Sequence, residues 1–244
     1  MVLRVPSFKQ LAASATILIV ACSLGCRNKT LQPTAVAELS EGDYLSTNYI
    51  EQLRKTRSPY KAGDQRPISL VIVHRQGTDL LIDTSYNFHE GGEVLRVAAN
   101  GQIEPSSGEN VKQLTGTVLN EHSLRFGIND NPVTTYEHVG NAATYVARAS
   151  LVGTYQDSRG RTYEFRNDGT AVFPDHTFRY EVGLDHVFGN FDYFDEKASV
   201  NGNSRTWAFR WEGDDLDLFA TREIESGVDE ISDTRPRLIL HRSN

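Results

Sequence analysis

The sequence predicts an all-β protein of two antiparallel β domains, the second an eight-stranded up-and-down barrel, with one short helix near residues 47–56. Three observations carry this. Beyond Ile68 apolar and polar residues alternate in short runs, the period of a strand with one buried face. Turn residues separate the runs, at Gln76-Gly77, Asn100-Gly101, Asn129-Asp130-Asn131-Pro132 and Asn167-Asp168-Gly169. The gaps between runs hold no helical pattern, so neighbouring strands pair antiparallel instead of forming βαβ units.

The chain in order divides into a leader over residues 1–25, a flexible tether over 26–44, a helix plus β domain over 45–149 and a barrel domain over 150–244. In the leader, Arg4 and Lys9 precede an apolar run from Leu11 to Ala21, closed by small residues and cysteine. That is the composition of a secretory signal, and the run is too short for a stable membrane-spanning helix. Its end, Ile19-Val20-Ala21-Cys22, resembles the lipobox of bacterial lipoproteins. Ser23-Leu24-Gly25-Cys26 is a second candidate, with Ser23 where an aliphatic residue is usual. The resemblance implies that Cys22 or Cys26 becomes the lipidated first residue. It also implies contact with a membrane through N-terminal acyl chains, in a bacterial cell envelope, at the outer membrane facing the periplasm. No cysteine follows residue 26, so the folded part uses no disulfide.

The formal net charge is −7, from 25 basic and 32 acidic residues. An acidic chain without a basic cluster is a poor ligand for nucleic acid and for anionic lipid, so no nucleic-acid partner is expected.

Arg27 to Asp43 is polar and aperiodic, as a tether would be. A helix follows, with Asn48 as its expected cap, Glu51 three residues on, and Leu45, Tyr49 and Leu53 on one face. Arg54-Lys55-Thr56-Arg57 and then Ser58-Pro59 end it, placing positive charge and a proline stop at the C-terminus. Its expected place is as a lid or plug on the β structure that follows. The strands of the first half are Ile68–Arg75, Thr78–Tyr86, Glu93–Ala98, Gln102–Glu104, Leu114–Asn120, Ser123–Ile128 and Val133–Val139.

The second half reads as eight strands: Leu151–Gln156, Arg161–Arg166, Thr170–Pro174, Thr177–Gly183, Phe188–Phe194, Arg205–Trp211, Asp215–Thr221 and Arg237–His241. Tyr163 and Phe165, then Phe178 and Tyr180, then Trp207, Phe209 and Trp211 each share one face of their strand. Eight sequential strands with one aromatic face can close into a barrel without exposed edges. At Gly153-Thr154-Tyr155 the chain also resembles the opening of a lipocalin-like or calycin-type barrel, with tyrosine where that family has tryptophan. The resemblance implies an enclosed site for a small apolar ligand, which the seven aromatic residues would line. A fainter echo links Leu114-x-Gly116-Thr117 to Leu151-x-Gly153-Thr154.

The sequence carries few signatures of chemistry. No phosphate-binding loop, nucleophile elbow or zinc-spaced cysteine pair occurs, and no cofactor is expected. His89, Glu90 and Glu93 are the weak metal candidates, but Gly91-Gly92 between them marks a turn or bulge and excludes the helical zinc geometry. Asp175-His176 and Asp185-His186 read as loop polarity without a nucleophile. The function expected is a membrane-anchored, non-enzymatic binding module for a small apolar ligand or an envelope component. The alternative is a structural or protein-interaction lipoprotein with a filled core, and a metal-dependent hydrolase ranks third.

Overall fold

Alternation of apolar and polar residues here builds two successive rolled sheets, seen in a computed structural model that describes residues 39–63, 68–86, 88, 90–106, 111–184, 189–197, 205–223 and 229–243. The leader, Cys22, Cys26 and the tether up to residue 38 lie outside the described residues.

The first sheet has eight strands: β1 (Gly42–Ser46), β2 (Ile68–Gln76), β3 (Asp79–Tyr86), β4 (Glu90–Val97), β5 (Ile103–Pro105), β6 (Leu114–Asn120), β7 (Ser123–Ile128) and β8 (Thr134–Gly140). Every neighbouring pair is antiparallel, and β1 joins β2 on one side to β8 on the other. A single bridge, Gln102 with Thr117, draws β5 to β6, supported by the Val118 N–H donating to the Gly101 carbonyl at 2.9 Å. The sheet thus rolls into a barrel-like form around Val71, Ile82, Leu95, Leu124, Phe126 and Tyr136. At the β5–β6 seam Gly116 is required by space. A Cβ there would stand 2.6 Å from that of Phe126 and 3.1 Å from that of Ile103. The tether expected to run to residue 44 ends sooner, because Leu39 is buried in this core and residues 42–46 form a strand.

The second sheet contains β9 (Gly153–Gln156), β10 (Thr162–Phe165), β11 (Thr170–Val172), β12 (Thr177–Val182), β13 (Asp192–Lys197), β14 (Arg205–Glu212), β15 (Asp215–Glu223), β16 (Asp229–Ile231) and β17 (Leu238–Arg242). Strands β9 to β15 meander in order, β17 pairs with both β15 and β9, and the eight close into an up-and-down barrel. The eight expected strands are present, with the fifth shifted from Phe188–Phe194 to Asp192–Lys197. The short β16 adds a flap at the end of β15.

Both barrels start the same way. Gly42-Asp43-Tyr44 opens β1 and Gly153-Thr154-Tyr155 opens β9. The Tyr44 hydroxyl donates to the Ser40 carbonyl at 2.7 Å, and the Tyr155 hydroxyl to the Leu151 carbonyl at 2.6 Å, four residues back in each case. The last strand completes each clasp. His138 Nε2 lies 3.1 Å from the Glu41 carbonyl, and Arg242 Nη2 donates to the Val152 carbonyl at 3.2 Å. Each carbonyl belongs to the residue before the glycine. The repeat therefore aligns β1 with β9, whereas the echo between residues 114–130 and 151–168 pairs strands at different places in the two sheets.

Three helices join the barrels: α1 (Thr47–Thr56), α2 (Pro59–Gly63) and α3 (Ala142–Ser150). The first was expected, the other two were not. Ser46, not Asn48, caps α1, its hydroxyl accepting from the Tyr49 N–H at 3.2 Å; the strand delivers Ser46 directly into the cap position. Asn141 caps α3 in the same way, and Asp43 accepts a further bond from the Ala142 N–H at 2.7 Å. The apolar face of α1 (Tyr49, Ile50, Leu53) joins Val146 of α3, Leu45 and Leu70 in one cluster with the interior of the second barrel. The helix expected to cover the sheet that follows it does pack on that sheet, through Leu45, Leu70 and Phe88, and on its other side joins the interior of the second barrel.

Clasp and plug use their tyrosines differently. The Tyr49 hydroxyl is buried without a hydrogen-bond partner. Burial, then the nearby Asp192 charge, raises its pKa. Tyr155→Phe is expected to destabilise by about 1–2 kcal/mol through loss of its buried bond, and Tyr49→Phe to be neutral or stabilising. Denaturant unfolding of the two variants checks this pair, and equal losses would contradict it.

Candidate functional site

The aromatic residues singled out as ligand-lining do meet inside the second barrel. Tyr163, Phe165, Phe178, Tyr180, Trp207, Phe209 and Trp211 are all buried, none more than 7% exposed. They are packed ring against ring, with Tyr155, Phe173 and Phe194 completing the set. Phe165 stands edge-on to Phe173 at 5.8 Å, Tyr180 at 5.2 Å and Phe194 at 5.4 Å. Phe178 and Trp207 each lie nearly parallel to Phe194, at 6.5 and 6.4 Å. Such pairs are worth roughly 0.5–1.5 kcal/mol each beyond their buried area. Phe173 shares a strand face with Ala171 and follows from the alternation, whereas Phe194 shares its face with Asp192 and does not.

The two ends of this barrel differ. At the plugged end Arg57 takes the left-handed conformation that stops α1, with φ 55°, and its N–H donates to the Leu53 carbonyl. Its guanidinium carbon sits 4.8 Å from the centre of the Trp211 ring, and Nη2 reaches Asp214 at 3.4 Å. Glycine is the usual residue at such a stop, so the side chain's stacking and ion pairing offset the local strain. Beside it Asp192 begins β13 and accepts from the Tyr60 N–H at 2.6 Å, which ties α2 to the barrel wall.

At the other end a polar rim surrounds the aromatic core. His176 has Nδ1 2.8 Å from Asp175 Oδ1 and Nε2 3.0 Å from Glu196 Oε1. The second Glu196 oxygen accepts from the Trp207 indole N–H at 3.1 Å. The bond from His176 holds the Asp175 carboxyl below its ordinary value. Asp175-His176 is therefore more than loop polarity, because the β11–β12 hairpin turns both side chains to the same side. Arg205 covers the Trp207 ring at 3.9 Å and Arg237 approaches it at 5.9 Å. This arrangement orders charge around an aromatic floor. Among the described residues His176 bonds to Asp175 and Glu196 and to no serine or cysteine.

The remaining candidates disperse. His89 lies outside the described residues, as do Asp185 and His186. Glu90 starts β4, as a residue at a strand end should. Glu93 accepts from Asn129 Nδ2 at 3.3 Å. Opposite Asp83 to Ser85, β4 carries one extra residue between Gly91 and Val94, so the paired glycines do mark a bulge. Among the described residues no group of three or more His, Cys, Asp or Glu side chains is placed to hold a metal ion. Glu212, Asp214 and Asp215, at the β14–β15 hairpin, pair separately with Arg210, Arg57 and His241.

Recesses of about 340 and 380 Å³ open on the outside of the second barrel. One lies between α3, the turn at residues 167–169 and β12, and the other beside Arg237. No family model matches this chain, and comparison with curated proteins and with solved structures gave no match either.

Proposed function

We propose that this is a lipid-anchored envelope protein that acts without catalysis, by presenting a rigid pair of barrels to an envelope partner. One observation carries the choice between a ligand carrier and an interaction module. The aromatic residues that would line a pocket are occupied with one another, in edge-on and parallel contacts. A barrel filled by its own side chains spends its interior on stability and leaves recognition to its outer face and rim. The anchor follows from the lipobox-like leader, in which several acyl chains, at about 0.8 kcal/mol per buried CH₂, hold a protein firmly to a bilayer.

The denatured mass of the protein isolated from its own host tests the anchoring. The expected chain begins at Cys22 or Cys26 and carries the added mass of acyl groups. A chain that retains the leader, or that begins elsewhere without modification, overturns it.

A further inference from the structure

The barrel rim gathers two arginines on a single indole, Arg205 at 3.9 Å and Arg237 at 5.9 Å from the Trp207 ring centre. Elsewhere on this acidic chain arginines commonly carry their own carboxylate, as in Arg96–Glu104, Arg161–Asp157, Arg166–Glu164 and Arg235–Asp233. Among the described residues the side chains of Arg205 and Arg237 make no hydrogen bond or ion pair, and Arg237 bonds only through its backbone N–H, to the Leu218 carbonyl at 2.8 Å. Two carboxylates act on Arg205 through space, Glu196 and Asp175; Glu196 is engaged at both oxygens, by His176 and by the Trp207 N–H, and Asp175 by His176. The two guanidinium groups, neither in contact with a carboxylate of its own, repel one another. Burial, and after it Arg237, pushes the Arg205 guanidinium down from its ordinary value. Next to Arg237 opens the recess of about 380 Å³, lined also by Ala220, Asp233, Arg235 and Pro236.

We propose that Arg205 and Arg237, with Trp207 as their floor, form a binding site for an oxyanion, the carboxylate or phosphate group of an acidic ligand. The indole face holds the guanidinium planes by cation–π attraction and leaves their N–H edges to point at the ligand. The planar fork of arginine matches two oxygens of a carboxylate or phosphate at once, which an ammonium cannot do. A bound anion also removes the repulsion between the two arginines, so the site gains from binding in two ways. This rests on the surface-recognition reading above and names the chemistry of the partner.

The chain contains two tryptophans, so Trp211→Phe leaves Trp207 as the sole indole reporter at the proposed site. Full chain carrying that change is titrated with inorganic phosphate and, separately, with citrate at constant ionic strength. The expected result is a saturable change in Trp207 emission with at least one of them, the stronger response identifying the preferred oxyanion. Arg205→Ala and Arg237→Ala should each weaken binding about tenfold, the scale of one charge-assisted hydrogen bond, and the lysine variants should keep part of it. A linear response like that of chloride, or saturable binding that survives both alanine substitutions, overturns the site. Arg237 lies outside the barrel core, so its variant keeps the test decisive if changes at Arg205 disturb folding. Failure here leaves the anchoring and the filled interior standing, because mass and core substitutions read those separately.

Discussion

Phe165→Ala is expected to destabilise the protein by about 3–5 kcal/mol, the usual range for removing a fully buried ring. Phe165 is 1% exposed and contacts Tyr155, Phe173, Tyr180 and Phe194, so its loss opens a void bounded by four other rings. Those rings are fixed by the strands that carry them and can close the gap only in part. A loss of that size is a large share of the stability of an ordinary domain. Denaturant unfolding followed by far-UV circular dichroism measures it. A loss below about 1 kcal/mol would mean that the ring lines free space instead of filling a core.

Asp192→Asn should act in the opposite direction, and only above acidic pH. Burial pushes the Asp192 carboxyl up to about 6, against the hydrogen bonds from Ser58 and the Tyr60 N–H, which favour its charged form. Between the ordinary value of 3.8 and about 6, the folded chain holds a proton that the unfolded chain has released. The stability contributed by the protonated form is therefore complete below the unfolded value and lost as pH rises through the folded one. Asparagine imitates the neutral acid and keeps an oxygen for the Tyr60 N–H. At neutral pH the variant should be more stable than the parent by up to about 3 kcal/mol, at 1.36 kcal/mol per tenfold change in proton affinity. In mild acid the two should converge. A constant difference at all pH values, or a variant weaker at neutral pH, would show that the charge itself ties α2 to the barrel.

Much of the architecture was legible because strands are specified locally. The bounds of β6 and β7, Leu114–Asn120 and Ser123–Ile128, follow from the sequence because Asn120 and Ser123 flank a tight turn. The helix α3 leaves little trace in the sequence because its nine residues, AATYVARAS, carry no acidic first turn and only a narrow apolar stripe. Its Asn141 cap was the available signal. Closure of the first sheet rests on the non-local Gln102–Thr117 bridge, which no local pattern announces. The repeated Gly-x-Tyr was in plain view at Gly42-Asp43-Tyr44. It stands at the end of a polar, aperiodic stretch that carries no strand signal of its own.

The candidate site divides in the same way. Aromatic alternation placed the seven interior residues correctly on one face. Whether such residues enclose space or fill it depends on ring-to-ring distances across the barrel, which alternation does not encode. The rim was unreadable for a related reason. His176 meets Glu196 across 20 residues, and Glu196 meets Trp207 across a further 11, contacts made only when hairpins are stacked side by side.

The most direct test of the central claim, that the second barrel is filled by its own side chains, is a titration of the folded chain with palmitate while tryptophan emission is recorded. Trp207 and Trp211 report from opposite ends of the aromatic core. A filled core predicts emission unchanged below the micelle-forming concentration. A saturable shift in emission with one palmitate bound per chain would contradict it and would make the barrel a carrier of apolar ligands.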